Sequence, residues 1–193
     1  MSAGGVASGT VVEGYSVQSD QGTTVGTVLS SGMEYVYGTA KGTIIDAGGS
    51  VYVENGFVAS GTVISGGTLE VLNGGALGGA KAATFAAGAG GDLKLQGGAN
   101  ISQDPIAGFG ASDTIDLMGV SFGPNTTLGF TEAANQTSGT LTVSDGAHSA
   151  SLLLMGQYSA ANFAMASDQY FGGTMINYAP EQGTQMMMAR SHG

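Results

Sequence analysis

Short apolar segments recur along the first half of the chain at nearly constant spacing. Four of them read Gly-Thr followed by two aliphatic residues, at 9–12, 26–29, 42–45 and 61–64. Their starting points lie 17, 16 and 19 residues apart. Each is followed by a second apolar segment, and a fifth such segment continues the series; these second segments are 15–17, 34–37, 50–54, 68–72 and 92–96. The pattern predicts a repeat with two strands per unit.

The second segments alternate between apolar and polar residues. Val51 and Val53 face one way, whereas Ser50, Tyr52 and Glu54 face the other. A period of two is the signature of a strand with one buried face. Glycine pairs, which suit tight corners, separate the segments at 48–49, 66–67, 74–75, 78–79, 90–91 and 97–98.

Two short strands with glycine corners bury too little surface to be stable alone, but stacked coils form a continuous apolar ladder. The sequence therefore predicts an all-β chain that folds as a parallel β-solenoid, or β-helix. An antiparallel sandwich with glycine turns is the alternative. The constant internal order of the two-strand unit favours the solenoid.

Composition narrows the class of function. Of the 193 residues 36 are Gly, none is Cys, only four are Lys or Arg, and the net charge is -10. Nucleic-acid binding needs cations that displace counterions from phosphates, so it is excluded, and anionic membranes are disfavoured by the same sign of charge. Without Cys there is no metal-thiolate site or thiol nucleophile. No apolar run approaches the roughly 20 residues of a transmembrane segment.

The repeat is similar to a known class of surface protein. Residues 61–76, Gly-Thr-Val-Ile-Ser-Gly-Gly-Thr-Leu-Glu-Val-Leu-Asn-Gly-Gly-Ala, resemble the strand-loop-strand repeats of bacterial autotransporter passengers and diffuse-adherence adhesins. The resemblance covers roughly residues 6–80 and continues less regularly to 101. It implies a right-handed β-solenoid outside a Gram-negative cell, active in adhesion or self-association, on which some Ser and Thr carry heptose.

The pattern changes after residue 101. A strand is predicted over 106–117 and a hairpin over 140–154 that turns at Asp145-Gly146. A short helix over 160–165, capped by Ser159, and a last strand over 172–178 follow. We therefore divide the chain into a glycine-rich solenoid (1–101), a β-rich C-terminal cap that continues it (102–180) and a mobile tail (181–193).

This second half resembles the C-terminal regions of large proteobacterial surface proteins and, more loosely, of type I-secreted RTX proteins. The matching residues are Ile-x-Gly-Phe at 106–109, Asp-Thr-Ile-Asp-Leu at 113–117 and Gly-Gly-Thr-x-Ile at 172–176. The resemblance implies a cap on the solenoid. The chain departs from RTX proteins because it lacks every Gly-Gly-x-Gly-x-Asp calcium nonapeptide.

Two groups of residues are candidate sites. Asp113 and Asp116 are candidate calcium ligands, although calcium takes about six to eight oxygen ligands and the alternative is a pair of solvated strand-end acids. Tyr35, Tyr37 and Tyr52 lie on successive second strands and form a candidate binding surface that stacks on sugar rings or on another protomer. Their alternative role is stacking within the solenoid itself.

Three further patterns are weaker. Glu54 and Glu70 occupy analogous outward positions of neighbouring coils, which is the starting point of a polysaccharide-cleaving site. His148 lies beside Asp145, but no Gly-x-Ser-x-Gly elbow accompanies them. One threonine per coil suggests a ladder that binds ice, or simply β-branched strand residues; these threonines are Thr10, Thr27, Thr43 and Thr62.

The sequence thus favours a non-enzymatic structural or adhesion module, secreted or on the surface of a Gram-negative bacterium. The expected partners are a host or neighbouring-cell surface, a glycan or a second copy of the chain. No catalytic residue and no cofactor apart from calcium is predicted. The alternatives are a polysaccharide-acting β-helix enzyme and a calcium-stabilised type I-secreted domain.

Overall fold

The chain folds as a parallel β-solenoid of about six turns, as the sequence predicts. The computed structural model describes residues 1–78, 81–99, 101 and 104–179. Strands of successive coils pair in parallel and in register, which is incompatible with an antiparallel sandwich for this region. No α-helix occurs among the described residues.

Each of the first four coils contributes three strands. The first two coils contain β1 (Val6–Ser8), β2 (Val11–Glu13), β3 (Val17–Asp20), β4 (Thr23–Val25), β5 (Val28–Ser30) and β6 (Met33–Val36). The next two contain β7 (Thr39–Lys41), β8 (Ile44–Asp46), β9 (Ser50–Val53), β10 (Val58–Ser60), β11 (Val63–Ser65) and β12 (Thr68–Val71). Two further coils follow with β13 (Ala83–Phe85), β14 (Asp92–Leu95), β15 (Pro105–Ala107) and β16 (Thr114–Ser121).

Equivalent strands stack into three sheets. Sheet A contains β1, β4, β7 and β10; sheet B begins with β2, β5, β8, β11, β13 and β15; and sheet C begins with β3, β6, β9, β12, β14 and β16. The predicted unit has two strands, so sheet A is an addition. The sequence pattern does not reveal these strands, because each has only three residues and its central residue is small, such as Ala40 in β7, so no apolar alternation is visible.

The core consists of ladders of like residues inside the solenoid. On sheet B, Leu29, Ile45 and Ile64 stack from coil to coil, and each is 0% exposed. Val51 and Leu69 form the equivalent ladder on sheet C. Since parallel in-register pairing places equivalent residues one strand spacing apart, each coil buries its apolar side chains against the coils above and below.

The threonine column lies inside the molecule. Thr27, Thr43 and Thr62 are each 1% exposed and follow glycines with φ of 63° to 65°, which turn the chain from sheet A into sheet B. The left-handed glycine directs the threonine inward at the corner. These threonines therefore form no exposed ladder, and the ice-binding interpretation is wrong.

The C-terminal region extends sheets B and C and then adds antiparallel strands to the end of each sheet. These strands are β17 (Thr127–Glu132), β18 (Ser138–Ser144), β19 (Ser149–Met155), β20 (Phe163–Ser167) and β21 (Gly173–Tyr178). β19 joins β15 in parallel, whereas β18 and β17 follow it as an antiparallel meander. β21 pairs antiparallel to β16, and β20 pairs with β21. The predicted hairpin at Asp145-Gly146 and the predicted last strand are both confirmed.

Two predictions in this region are wrong. The helix predicted over 160–165 is a single 3₁₀ turn, Ala160–Asn162, followed by β20, and the Ser159 side chain makes no cap hydrogen bond. The strand predicted over 106–117 is two strands, because a turn centred on residues 109–113 carries the chain from sheet B to sheet C.

Sheets B and C continue through the predicted boundary at residue 101, because β15 and β16 extend both in parallel. The tail predicted to be mobile, 181–193, lies outside the described residues. Within the described part of the chain, no helix has the length and apolar character needed to cross a bilayer.

Candidate functional site

The outer face of sheet C carries a stack of tyrosine rings. Tyr35 on β6 and Tyr52 on β9 are direct partners in the parallel register. Their ring centroids lie 5.0 Å apart with an angle of 16° between the planes. Parallel in-register pairing places the two residues one strand spacing apart on the outer face, and at this distance their rings stack face to face.

Two more rings enlarge this stack. Tyr37, two residues after Tyr35, has its ring centroid 6.5 Å from that of Tyr35. Phe57 meets Tyr37 edge-on at 6.3 Å. Tyr35, Tyr37, Tyr52 and Phe57 together form the aromatic cluster. The structure thus brings the three predicted tyrosines together, and their rings stack on one another within the solenoid, which is the alternative role given above. It adds Phe57, which lies in the turn after β9 and shows no strand alternation in the sequence.

Polar side chains border the aromatic cluster. Desolvation, followed by the neighbouring Glu54 carboxylate, raises the pKa of Tyr37 above its usual range. In the register of sheet C, Glu70 is the neighbour of Tyr52, and its carboxylate accepts a hydrogen bond from Gln96 Nε2 at 2.9 Å. An apolar stacking surface with hydrogen-bonding groups at its edge is suited to ligands that have both apolar and hydroxyl faces.

Glu54 and Glu70 do not occupy equivalent positions. Glu70 pairs with Tyr52, whereas Glu54 follows β9 and is placed two residues further along the coil. Both side chains are partly exposed on the outer side, as predicted, but their alignment as equivalent residues is wrong. The hydrogen bond from Gln96 and the neighbouring Lys94 give Glu70 surroundings different from those of Glu54.

Two backbone amides donate hydrogen bonds to the carboxylate of Asp113. Asp113 is 1% exposed, and it accepts hydrogen bonds from Gly91 N at 3.0 Å and from Gly110 N at 2.8 Å. These contacts join two coils at the corner before sheet C. Asp113 therefore has a structural role, which the sequence did not indicate.

Asp116 has different surroundings. It lies on the outer side of β16 beside Lys94, and desolvation, followed by the charge of Asp168, raises its pKa to about 6. Its Oδ1 is buried without a hydrogen-bond partner in the described structure. Over the described residues, no group of three or more His, Asp or Glu side chains is arranged to hold a metal ion. Calcium binding by Asp113 and Asp116 stays a prediction.

A polar cluster inside the first two coils is absent from the sequence predictions. Asp20 and Glu34, both 0% exposed, point into the solenoid at positions that Val36 and Val51 occupy in the next coils. Gln18 Nε2 donates to Asp20 Oδ2 and to Glu34 Oε1, at 3.1 Å each. Hydroxyl groups also donate to Glu34, from Thr24 at 3.1 Å and from Thr43 at 3.4 Å. The alignment of coils carries the information needed to find this cluster, because it places Glu34 on the same inner ladder as Val51.

Asp145 and His148 form the turn of the β18–β19 hairpin. Asp145 Oδ2 lies 3.2 Å from His148 Nδ1, and Asp145 Oδ1 accepts the His148 and Ala147 amides at 2.6 and 2.8 Å. Ser121 N donates to Asp145 Oδ2 at 2.9 Å and so attaches the hairpin to sheet C. These backbone hydrogen bonds hold the pKa of Asp145 well below its usual range.

No protein-family model, no curated protein and no solved structure matches this chain.

Proposed function

We propose that the chain is a non-enzymatic structural and adhesive module, secreted or displayed on the surface of a Gram-negative bacterium, that binds glycans through the aromatic cluster. The observation that carries the proposal is the Tyr35–Tyr52 stack, with ring centroids 5.0 Å apart on the outer face of sheet C. The composition and the resemblance of residues 61–76 to adhesin repeats support the cellular location.

A glycan is the partner that suits the aromatic cluster best. A sugar ring presents an apolar face to an aromatic ring while its hydroxyl groups bond to neighbouring polar side chains. Tyr37 is 39% exposed, and the carboxylates of Glu54 and Glu70 border the rings as hydrogen-bond acceptors. Carboxylates repel acidic sugars, so the proposal favours neutral glycans.

Binding to a panel of neutral and acidic glycans tests the proposal. We expect neutral glycans to bind, and Tyr52→Ala to weaken that binding about tenfold, since aromatic contacts contribute roughly 0.5–1.5 kcal/mol beyond area burial. Tyr170→Ala is the matched control, because Tyr170 is 89% exposed and makes no contact with the aromatic cluster. Equal loss in both variants, or no binding to any glycan, contradicts the proposal.

Sedimentation of the purified chain at rising concentration distinguishes glycan adhesion from self-association. A monomer that binds glycan agrees with the proposal. An oligomer that Tyr52→Ala dissociates assigns the aromatic cluster to contact between copies instead.

The cellular location is tested by the intact mass of the native protein from culture medium, cell surface and cytoplasm. We expect a surface or medium species, heavier by sugar units if Ser or Thr carry heptose. A chain found only in the cytoplasm contradicts the proposed location.

A further inference from the structure

We propose that a cavity at the C-terminal end of the solenoid binds a neutral, ring-shaped ligand that carries a hydroxyl group. The cavity has a volume of about 560 Å³ and lies where the ends of β14 and β16 face the turn of the β18–β19 hairpin. It is separate from the aromatic cluster and independent of the proposed glycan binding. Volumes of about 300–1,000 Å³ are typical of small-molecule sites.

The floor of the cavity is aliphatic. Leu95, Leu117, Val120 and Ile101 line it, and each is 6% exposed or less. Gly97 and Gly119 also line the cavity, and their backbones approach each other so closely that a Cβ at Gly119 would overlap Gly97. A ligand that fills this space gains hydrophobic stabilisation because its apolar part is removed from water.

The polar side chains that line the cavity are those of Gln96, Ser149, Ser151 and His148, and the position of His148 is fixed by Asp145. His148 lines the cavity, and its side chain is 67% exposed. The Asp145 carboxylate, which three backbone hydrogen bonds from Ser121, Ala147 and His148 hold in place, lies 3.2 Å from His148 Nδ1. In the neutral imidazole, a carboxylate at Nδ1 selects the tautomer with its proton on that nitrogen, so Nε2 offers a lone pair.

This arrangement defines the ligand. An acceptor at Nε2 calls for a donor on the ligand, which a hydroxyl group supplies. The ionised Asp145 carboxylate disfavours an anion, and no Lys or Arg is among the described residues that line the cavity. No Phe, Tyr or Trp is among the described residues that line it, so a sugar has no large aromatic ring on which to stack. A largely apolar ring with one hydroxyl group, such as a phenol, fits these conditions.

Two probe ligands distinguish recognition of a hydroxyl group from nonspecific binding of any apolar molecule in the cavity. We titrate the purified chain with p-cresol and with toluene, which differ only in the hydroxyl group, and measure each Kd by isothermal titration calorimetry. The His148 ring signals, followed by NMR in a His192→Gln background, report whether the bound probe lies beside this residue. We expect saturable binding of both, with p-cresol bound about 2- to 10-fold more tightly, the gain typical of one hydrogen bond. In His148→Phe, which keeps an aromatic ring without the acceptor, we expect this preference to disappear.

Two matched tryptophan variants locate the site. Ala150 lines the cavity, and Ala150→Trp fills it, whereas Ala164 on β20 is exposed outside it. We expect Ala150→Trp to abolish p-cresol binding and Ala164→Trp to retain it. No saturable binding of either probe overturns the proposal, as does p-cresol binding that survives Ala150→Trp. If Ala150→Trp does not fold, His148→Phe decides alone: an unchanged preference for p-cresol overturns the proposal.

Discussion

Asp20 and Glu34 lie on neighbouring coils with both side chains inside the solenoid, joined by the amide of Gln18. Two carboxyl groups in so small an apolar interior cannot both be ionised without a large desolvation cost. Burial, followed by the hydrogen bond and charge of Asp20, raises the pKa of Glu34 to about 8. We infer that Glu34 carries a proton at neutral pH.

The pH dependence of stability tests this inference. The pKa of Glu34 is about 8 in the folded protein and near 4.5 in the unfolded chain, so the folded state holds the extra proton between these values. This contribution to stability is complete below pH 4.5, declines as pH rises towards 8 and is lost above it. Urea unfolding across this range measures the decline. Glu34→Gln, a neutral side chain of the same shape, should make the profile flatter, and an equally steep profile in the variant contradicts the protonation of Glu34 at neutral pH.

The inner ladder of sheet B should be sensitive to truncation. Ile64 is 0% exposed and lies between Ile45 and Phe85 of the adjacent coils. Ile64→Ala should lower the free energy of unfolding by about 2–5 kcal/mol, because it leaves a cavity in a close-packed ladder. Val63→Ala on the outer side of the same strand is the control and should cost far less. Similar losses in chemical denaturation would contradict the assignment of faces.

A close backbone contact at the corner between sheets C and A should exclude any side chain. A Cβ atom at Gly38 would overlap the carbonyl oxygen of Gly22 on the preceding coil. Gly38→Ala should therefore lower the free energy of unfolding by about 1–3 kcal/mol, the usual cost of overpacking. Gly129→Ala, where a Cβ meets nothing within 4 Å, is the control. Thermal unfolding that ranks the two variants equally would contradict the close stacking of the coils.

The amide hydrogen bonds of Asp113 should be required for stability. Asp113→Ala leaves the buried N–H group of Gly91 and the partly buried N–H group of Gly110 without their acceptor, at a cost of about 1–3 kcal/mol for the buried group and less for the other. Glu132→Ala, at an exposed position, is the control and should leave Tm unchanged.

Thermal unfolding, followed through Tm, also tests the calcium prediction. If Asp113 and Asp116 bind calcium, added calcium raises the Tm of the wild-type chain, EDTA lowers it and Asp116→Asn reduces the response. Identical melts in calcium and in EDTA contradict the prediction.

Patterning predicted those parts of the fold that each coil encodes within itself. The alternation around Val51 and Val53 gives a strand with one buried face, and the repeated order of segments gives stacked coils. The Asp145-Gly146 turn is likewise local, since the Asp145 carboxylate bonds to amides two and three residues away. The candidate tyrosines were found because outward positions of adjacent strands also repeat.

The sequence by itself determined the repeat, the strands of sheets B and C within each coil, and the outward position of Tyr35, Tyr37 and Tyr52. Only the tertiary structure decided that Thr27, Thr43 and Thr62 point inward, that a third sheet exists and that Asp20 and Glu34 share the interior with valines. The physical reason is register: a side chain's surroundings in a solenoid come from the coils above and below it. Those neighbours are 16 to 24 residues away in sequence, so the pairing of coils, and no local pattern, determines which polar groups meet.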